Sequence, residues 1–256
     1  MTKIISIANQ KGGVAKTTTS VNLGACLAMA GYKTLLIDSD PQANATQSII
    51  GGAIFDHGTA HLFENPKSVL SSVVNVTPIE NLYLVPSDLS LSQVEWQLLK
   101  NYKSSHTMIL RDKIRSLNKD NFDYVVIDCP PSLGLFSLNA LMCADRVLIP
   151  IGLDIFSLVG LKYLLNTTNE IRMNGNKTLK ILGIVRTMWD LRLSLAKELT
   201  ESLESDYPDK LLKSIIRNTV RIRESIISQM PIVISEPSSP ASEQYKELMK
   251  EVLDRW

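Results

Sequence analysis

Asn9-Gln10-Lys11-Gly12-Gly13-Val14-Ala15-Lys16-Thr17-Thr18-Thr19 lies between two apolar segments: Ile4-Ile5-Ser6-Ile7-Ala8 before it, and an alanine- and leucine-rich stretch reaching Ala30, closed by Gly31, after it. The first, short and rich in β-branched residues, predicts a strand; the second predicts a helix beginning near Lys16. Gly12 and Gly13 permit conformations that a Cβ obstructs, so successive N–H groups can turn inward around an anion. The helix start adds its positive end. The stretch therefore predicts a polyphosphate cradle built from Gly12, Gly13, Val14, Ala15, Lys16, Thr17 and Thr18. Lys16 is placed to neutralise β- and γ-phosphates, the Thr17 hydroxyl to ligate a bridging Mg²⁺, and Thr18 to add a phosphate hydrogen bond. The alternative, a plain Gly-Lys turn with solvated lysines, lacks a reason for the strand before the loop and the helix after it.

The rest of the chain repeats this alternation. Lys33 to Ile37, Leu82 to Val85, Tyr124 to Ile127, Arg146 to Ile149 and Ile181 to Val185 are short apolar runs of the kind that form strands covered on both faces. Leu89 to Leu99, Thr107 to Leu117 and Leu158 to Arg172 read as helices between them. The expected fold is α/β: a doubly wound, mainly parallel sheet with helices on both faces and the ligand outside the carboxyl ends of its strands. Residues 1–256 read as a single domain, and 45% apolar content with 6% aromatics suits a sheet of Val, Ile and Leu. No apolar stretch approaches the ~20 residues of a membrane helix, and no signal peptide precedes the first strand, so a cytoplasmic protein is expected. Cys26, Cys129 and Cys143 are widely spaced and read as buried small hydrophobes, not as a disulfide framework or zinc site.

Lys11 has no task in the cradle, because Lys16 fills the intramolecular site and would repel a second cation there. The pattern Lys11-Gly12-Gly13-Val14-Ala15-Lys16-Thr17 resembles the deviant Walker A class of P-loop ATPases, and more closely the ParA/Soj partition proteins. The resemblance implies ATP and Mg²⁺ as ligands and a homodimer closed over two sandwiched nucleotides. In it Lys11 reaches the partner subunit's ATP and acts catalytically with Lys16. Ala15 departs from the family's usual glycine before the second lysine, and at positive φ it would cost about 1 kcal/mol.

Two acidic motifs each end an apolar strand: Asp38-Ser39-Asp40-Pro41 and Asp128-Cys129-Pro130-Pro131. Positions i and i+2 project to one side of an extended chain, so Asp38 and Asp40 both face the ligand in this reading. By resemblance Asp40 orients or deprotonates the attacking water, Asp128 belongs to the Walker B strand that holds Mg²⁺, and Asp38 supports the metal with Thr17. The loops 42–46 and 130–134 occupy the places of segments that sense the γ-phosphate. Asn139, in a segment that also matches the family, reads either as a residue near the dimer face or as an exposed helical residue.

A net charge of +1 gives no overall pull toward nucleic acid, but residues 172–223 hold eleven Lys/Arg against six Asp/Glu. Within that stretch Arg192, Arg217, Arg221 and Arg223 are the candidates for nonspecific double-stranded DNA binding, Arg192 and Arg221 by resemblance to chromosomal ParA proteins; the alternative is ion-paired arginines on a solvated face. The resemblance further implies a nucleoid-associated protein whose hydrolysis a ParB-like, cargo-bound partner stimulates. Ile216-Arg217-Asn218-Thr219-Val220-Arg221 lacks, at Arg217, the proline that commonly helps frame the adenine in the family's Ile-Pro-Arg-Asn-Val-Arg, and Gly152-Leu153-Asp154 departs from the residues usual after the fifth strand. A MinD-like membrane-associated positioning ATPase is the competing reading. It requires a basic amphipathic terminal helix, whereas Lys246, Glu247, Lys250, Glu251, Asp254 and Arg255 give the polar face no net positive charge and Tyr245, Leu248, Met249, Val252, Leu253 and Trp256 on the other face predict core packing.

Overall fold

The computed structural model describes residues 2–116 and 121–256. Among the described residues eight strands form one sheet: β1 (Lys3–Ile7), β2 (Thr34–Asp38), β3 (Asn75–Val76), β4 (Leu82–Val85), β5 (Tyr124–Asp128), β6 (Arg146–Ile151), β7 (Lys180–Trp189) and β8 (Leu211–Arg217). Their spatial order is β3-β4-β2-β5-β1-β6-β7-β8. Every pairing is parallel except that of the two-residue β3 with β4. The fold is thus the mainly parallel, doubly wound sheet the alternation predicts.

Period-two side-chain alternation divides the core between the two faces. Leu35, Ile37, Val125 and Ile127 enter one cluster, whereas Leu36, Tyr124 and Val126 enter the other. The second face carries α1 (Lys16–Met29), α2 (Asn44–Ile50), α9 (Val220–Ile227), α10 (Ile232–Ser235) and α11 (Pro240–Asp254). The first carries α3 (Thr59–Glu64), α4 (Ser90–Lys100), α5 (Ile109–Arg115), α6 (Leu135–Cys143), α7 (Phe156–Asn174) and α8 (Ser194–Asp206).

Several boundaries differ from the sequence reading for local reasons. The helix expected over 107–117 is a 3-10 turn, Ser104–Met108, followed by α5, and Leu117 lies outside the described residues. The break coincides with the Asn139 side chain, whose Oδ1 accepts the Leu110 amide at 3.1 Å while its Nδ2 donates to the carbonyls of His106 and Leu135. Asn139 is therefore a fully buried clamp, and the reading of it as an exposed helical residue is corrected. In α11, Tyr245, Leu248 and Val252 are fully buried, as core packing of that helix requires. All three cysteines are free and buried. No helix among the described residues is long and apolar enough to cross a membrane.

Candidate nucleotide site

The loop between β1 and α1 is shaped by its own backbone and held by distant partners. Gly13 (φ 73°) and Ala15 (φ 57°) adopt left-handed conformations on either side of the buried Val14. Asn9, almost wholly buried, donates from Nδ2 to the Pro150 carbonyl at 2.7 Å and accepts the Lys11 amide at 3.0 Å. Thr187 Oγ1, near the end of β7, sits 2.9 Å from the carbonyls of both Val14 and Ile151. The cradle is thereby tied to β6 and β7. The positive φ at Ala15 makes the departure from glycine a source of strain, since a Cβ in the left-handed region costs about 1 kcal/mol. Ala15→Gly is expected to raise the unfolding free energy by up to about 1 kcal/mol. An unchanged or lowered denaturation midpoint contradicts that strain.

The two lysines are separated by environment. Lys16 opens α1, is 6% exposed, and donates from Nζ to the Lys11 carbonyl at 2.9 Å. Burial pulls its pKa below the ordinary value, against the opposing pull of Asp128, Cys129 and Asp40. Lys11 lies at the rim, about one-third exposed, with its ammonium ion-paired to Asp154. Asp154 is fixed in turn by Ser157, which donates from Oγ at 2.6 Å and from its amide at 3.1 Å. Burial pushes the Asp154 carboxyl up, but the hydrogen bonds from Lys11 and Ser157 outweigh it and leave the group below the usual carboxylate range.

The acidic motifs converge because β2 and β5 are neighbours with Asp38 and Asp128 in direct register. Asp38 is fully buried; its Oδ1 accepts the Asp40 amide at 3.1 Å and its Oδ2 accepts the amide and hydroxyl of Thr46 at 2.8 and 2.7 Å. Asp128 Oδ1 accepts the Ser20 hydroxyl at 2.7 Å, and the neighbouring Thr17 side chain helps to hold the carboxylate ionised. Asp128 Oδ2 is buried with no hydrogen-bond partner among the described residues. Burial raises both carboxyl pKa values, and each is raised further by neighbouring carboxylates. Asp40 is also buried, its Oδ1 accepting the Gln42 amide at 2.9 Å. An orphaned carboxylate oxygen beside a threonine hydroxyl is what a hard, oxygen-seeking cation requires.

The four candidate DNA-binding arginines follow the carboxyl ends of β7 and β8, which pair with Trp189 opposite Arg217. Arg192 and Arg221 are ion-paired at 2.6 Å with Asp190 and Glu236, whereas Arg217 and Arg223 are exposed cations without such a partner among the described residues. Arg186, one of the eleven cations counted in this stretch, is buried against the Leu212 and Lys213 carbonyls and contributes nothing to the surface. Sequence reading missed Asn9, Ser20, Asp154 and Thr187 as parts of the site. Asp154 alone carried a signal, as a departure from the pattern after the fifth strand.

The comparisons agree with this geometry. A family profile described as an AAA domain matches residues 2–181. The sporulation initiation inhibitor protein Soj of Bacillus subtilis is 40% identical over 253 residues, 98% of each chain. The chromosome partitioning protein ParA of Caulobacter vibrioides is 35% identical, over 99% of this chain and 94% of its own length. Among solved structures, cobyrinic acid a,c-diamide synthase from Mycobacterium smegmatis with bound ATP analog and magnesium superposes with a TM-score of 0.84 at 29% identity, covering 100% of this chain and 96% of that one. A two-lysine loop, a buried carboxylate pair at adjacent strand ends and 35% to 40% identity over nearly the full length to ParA and Soj together place the chain in the ParA/Soj family of P-loop ATPases.

Proposed function

We propose that this chain is a ParA-type partition ATPase that uses ATP to close a homodimer on DNA and hydrolysis to release it. The observation that carries the reading is the division between the two lysines: Lys16 inside the cradle, Lys11 at its rim on a replaceable partner. A partly exposed ion pair contributes about 1 kcal/mol or less. A triphosphate from a second subunit offers Lys11 more negative charge than Asp154 does, so closure exchanges a weak intrachain pair for a stronger interchain one. ATP then acts as a switch because it binds the closed state preferentially.

Within each subunit Gly12, Gly13, Val14, Ala15, Lys16, Thr17 and Thr18 hold the phosphates, and Thr17 and the free oxygen of Asp128 hold Mg²⁺. Asp38, whose oxygens are engaged by Thr46 and the Asp40 amide, supports the metal shell from outside. The metal neutralises charge on the β- and γ-phosphates. Asp40 orients the attacking water, giving ADP and phosphate. The closed dimer doubles the arginine surface after β7 and β8, binds duplex DNA without regard to sequence, and associates with the nucleoid in the cytoplasm until a ParB-like, centromere-bound partner triggers turnover.

The experiment is co-sedimentation with duplex DNA and with anionic liposomes, each with and without ATP. DNA should pellet the protein only with ATP, and liposomes should not. The reverse pattern favours the MinD-like alternative, against which the core packing of α11 already counts. Each arginine lost from the phosphate contacts should lower the salt slope of binding by about one. The Arg217→Ala/Arg223→Ala pair should weaken DNA binding more than Arg192→Ala/Arg221→Ala, because the latter two are already neutralised by carboxylates. Equal binding by both pairs and the parent at moderate salt contradicts the assignment.

A further inference from the structure

α6 begins immediately after the 130–134 segment that follows Asp128, and Gly134, at its N-cap position, supplies no side-chain cap. No acidic residue occupies its first turn either. The missing acceptor comes from another helix: Glu95, in the middle of α4, accepts the Leu135 amide through Oε1 at 3.2 Å. Burial raises the Glu95 pKa and the Leu135 hydrogen bond opposes that rise. A Cβ built on Gly134 would lie 2.9 Å from Glu95 Oε1, so any side chain there would push the carboxylate aside. Leu91 and Val94 bury the inner side of α4, so Glu95 projects from an anchored helix.

The same helix also starts beside the other acidic motif. Ser87, three residues before α4, donates its amide to Thr46 Oγ1 at 2.9 Å, and Thr46 donates to Asp38. The stretch from Ser87 to Glu95, the lead-in to α4 and its first half, thus touches the surroundings of both carboxylates, through Thr46 at its start and through Leu135 at its end. We propose that Glu95 is a positioning residue: it caps α6 from outside and fixes the 130–135 segment behind Asp128, so that α4 couples the two strand ends of the nucleotide site. The effect on turnover rests on the ATPase reading above; the effect on backbone order does not.

The test uses Glu95→Ala, Glu95→Gln, Gly134→Ala and the Glu95→Ala/Gly134→Ala double variant of the full chain. Loss of one helix-cap bond should speed amide exchange in peptides covering 132–138 about fivefold without nucleotide. Gln, which keeps an acceptor, should restore most of the protection. Gly134→Ala, which displaces the carboxylate, should match Glu95→Ala, and the double variant should be no worse than either single one because both act on the same contact. With saturating ATP, kcat should fall by a similar factor while the KM for ATP stays within about twofold. Unchanged exchange and kcat in Glu95→Ala, additive effects in the double variant, or equal losses in Ala and Gln accompanied by a lower melting temperature would each overturn the proposal. A chain that binds no ATP would sink the functional reading instead, leaving the exchange measurement to judge Glu95.

Discussion

Asp40→Ala is expected to lower steady-state phosphate release by about a hundredfold or more, the range that positioned proton transfer contributes, while ATP binding survives. The separation follows from what Asp40 touches. Among the described residues its own carboxylate accepts only the Gln42 amide in the loop that follows, whereas the groups assigned to the phosphates lie in the 11–18 loop. Its backbone amide is the part that supports Asp38, and alanine keeps that amide. Phosphate release and fluorescent-nucleotide binding measured on one preparation decide the matter. Undiminished turnover refutes the role of Asp40; lost binding shows that the carboxylate supports the fold of the loop instead.

The second large effect separates the lysines. Lys16→Ala removes a buried cation surrounded by Asp128 and Asp40, so a bound triphosphate would sit among carboxylates with the only remaining cation of its loop, Lys11, committed to Asp154 at the rim. Affinity for both ADP and ATP should fall about a hundredfold, equivalent to roughly 2.7 kcal/mol. Lys11→Ala should leave ADP affinity within about threefold, because the Lys11 side chain points to Asp154 in the single chain and only its carbonyl meets Lys16. Titration of a fluorescent ADP derivative into the two variants is sufficient. Similar losses in both would mean that Lys11 serves its own subunit's nucleotide.

What was legible in the sequence was local. The cradle, the apolar strands and the strand-end aspartates are written in contiguous residues, and strands buried on both faces announce themselves as unbroken Val, Ile and Leu runs. β8 escaped because it is the edge strand, with exposed Lys213 and Arg217 interrupting its apolar positions. Its outward amides are covered by side chains of α11: Glu251 accepts from Lys213 and Ser214, and Gln244 from Arg217. Such covering is how an open edge is kept from pairing with another chain. The parts of the site that went unread are those joined across the fold. Thr187 meets Val14, Asn9 meets Pro150, Glu95 meets Leu135 and Asp154 meets Lys11, each between residues at least 40 positions apart. No motif records such pairs, because the sheet topology creates the adjacency.

The exchange of partners by Lys11 is measured most directly by mass. Light scattering of the parent should give 28.5 kDa with ADP and twice that with a nonhydrolysable ATP analogue and Mg²⁺, while Lys11→Ala stays at the smaller mass in both. A parent that remains monomeric with the analogue, or a Lys11→Ala variant that dimerises equally well, would contradict the account.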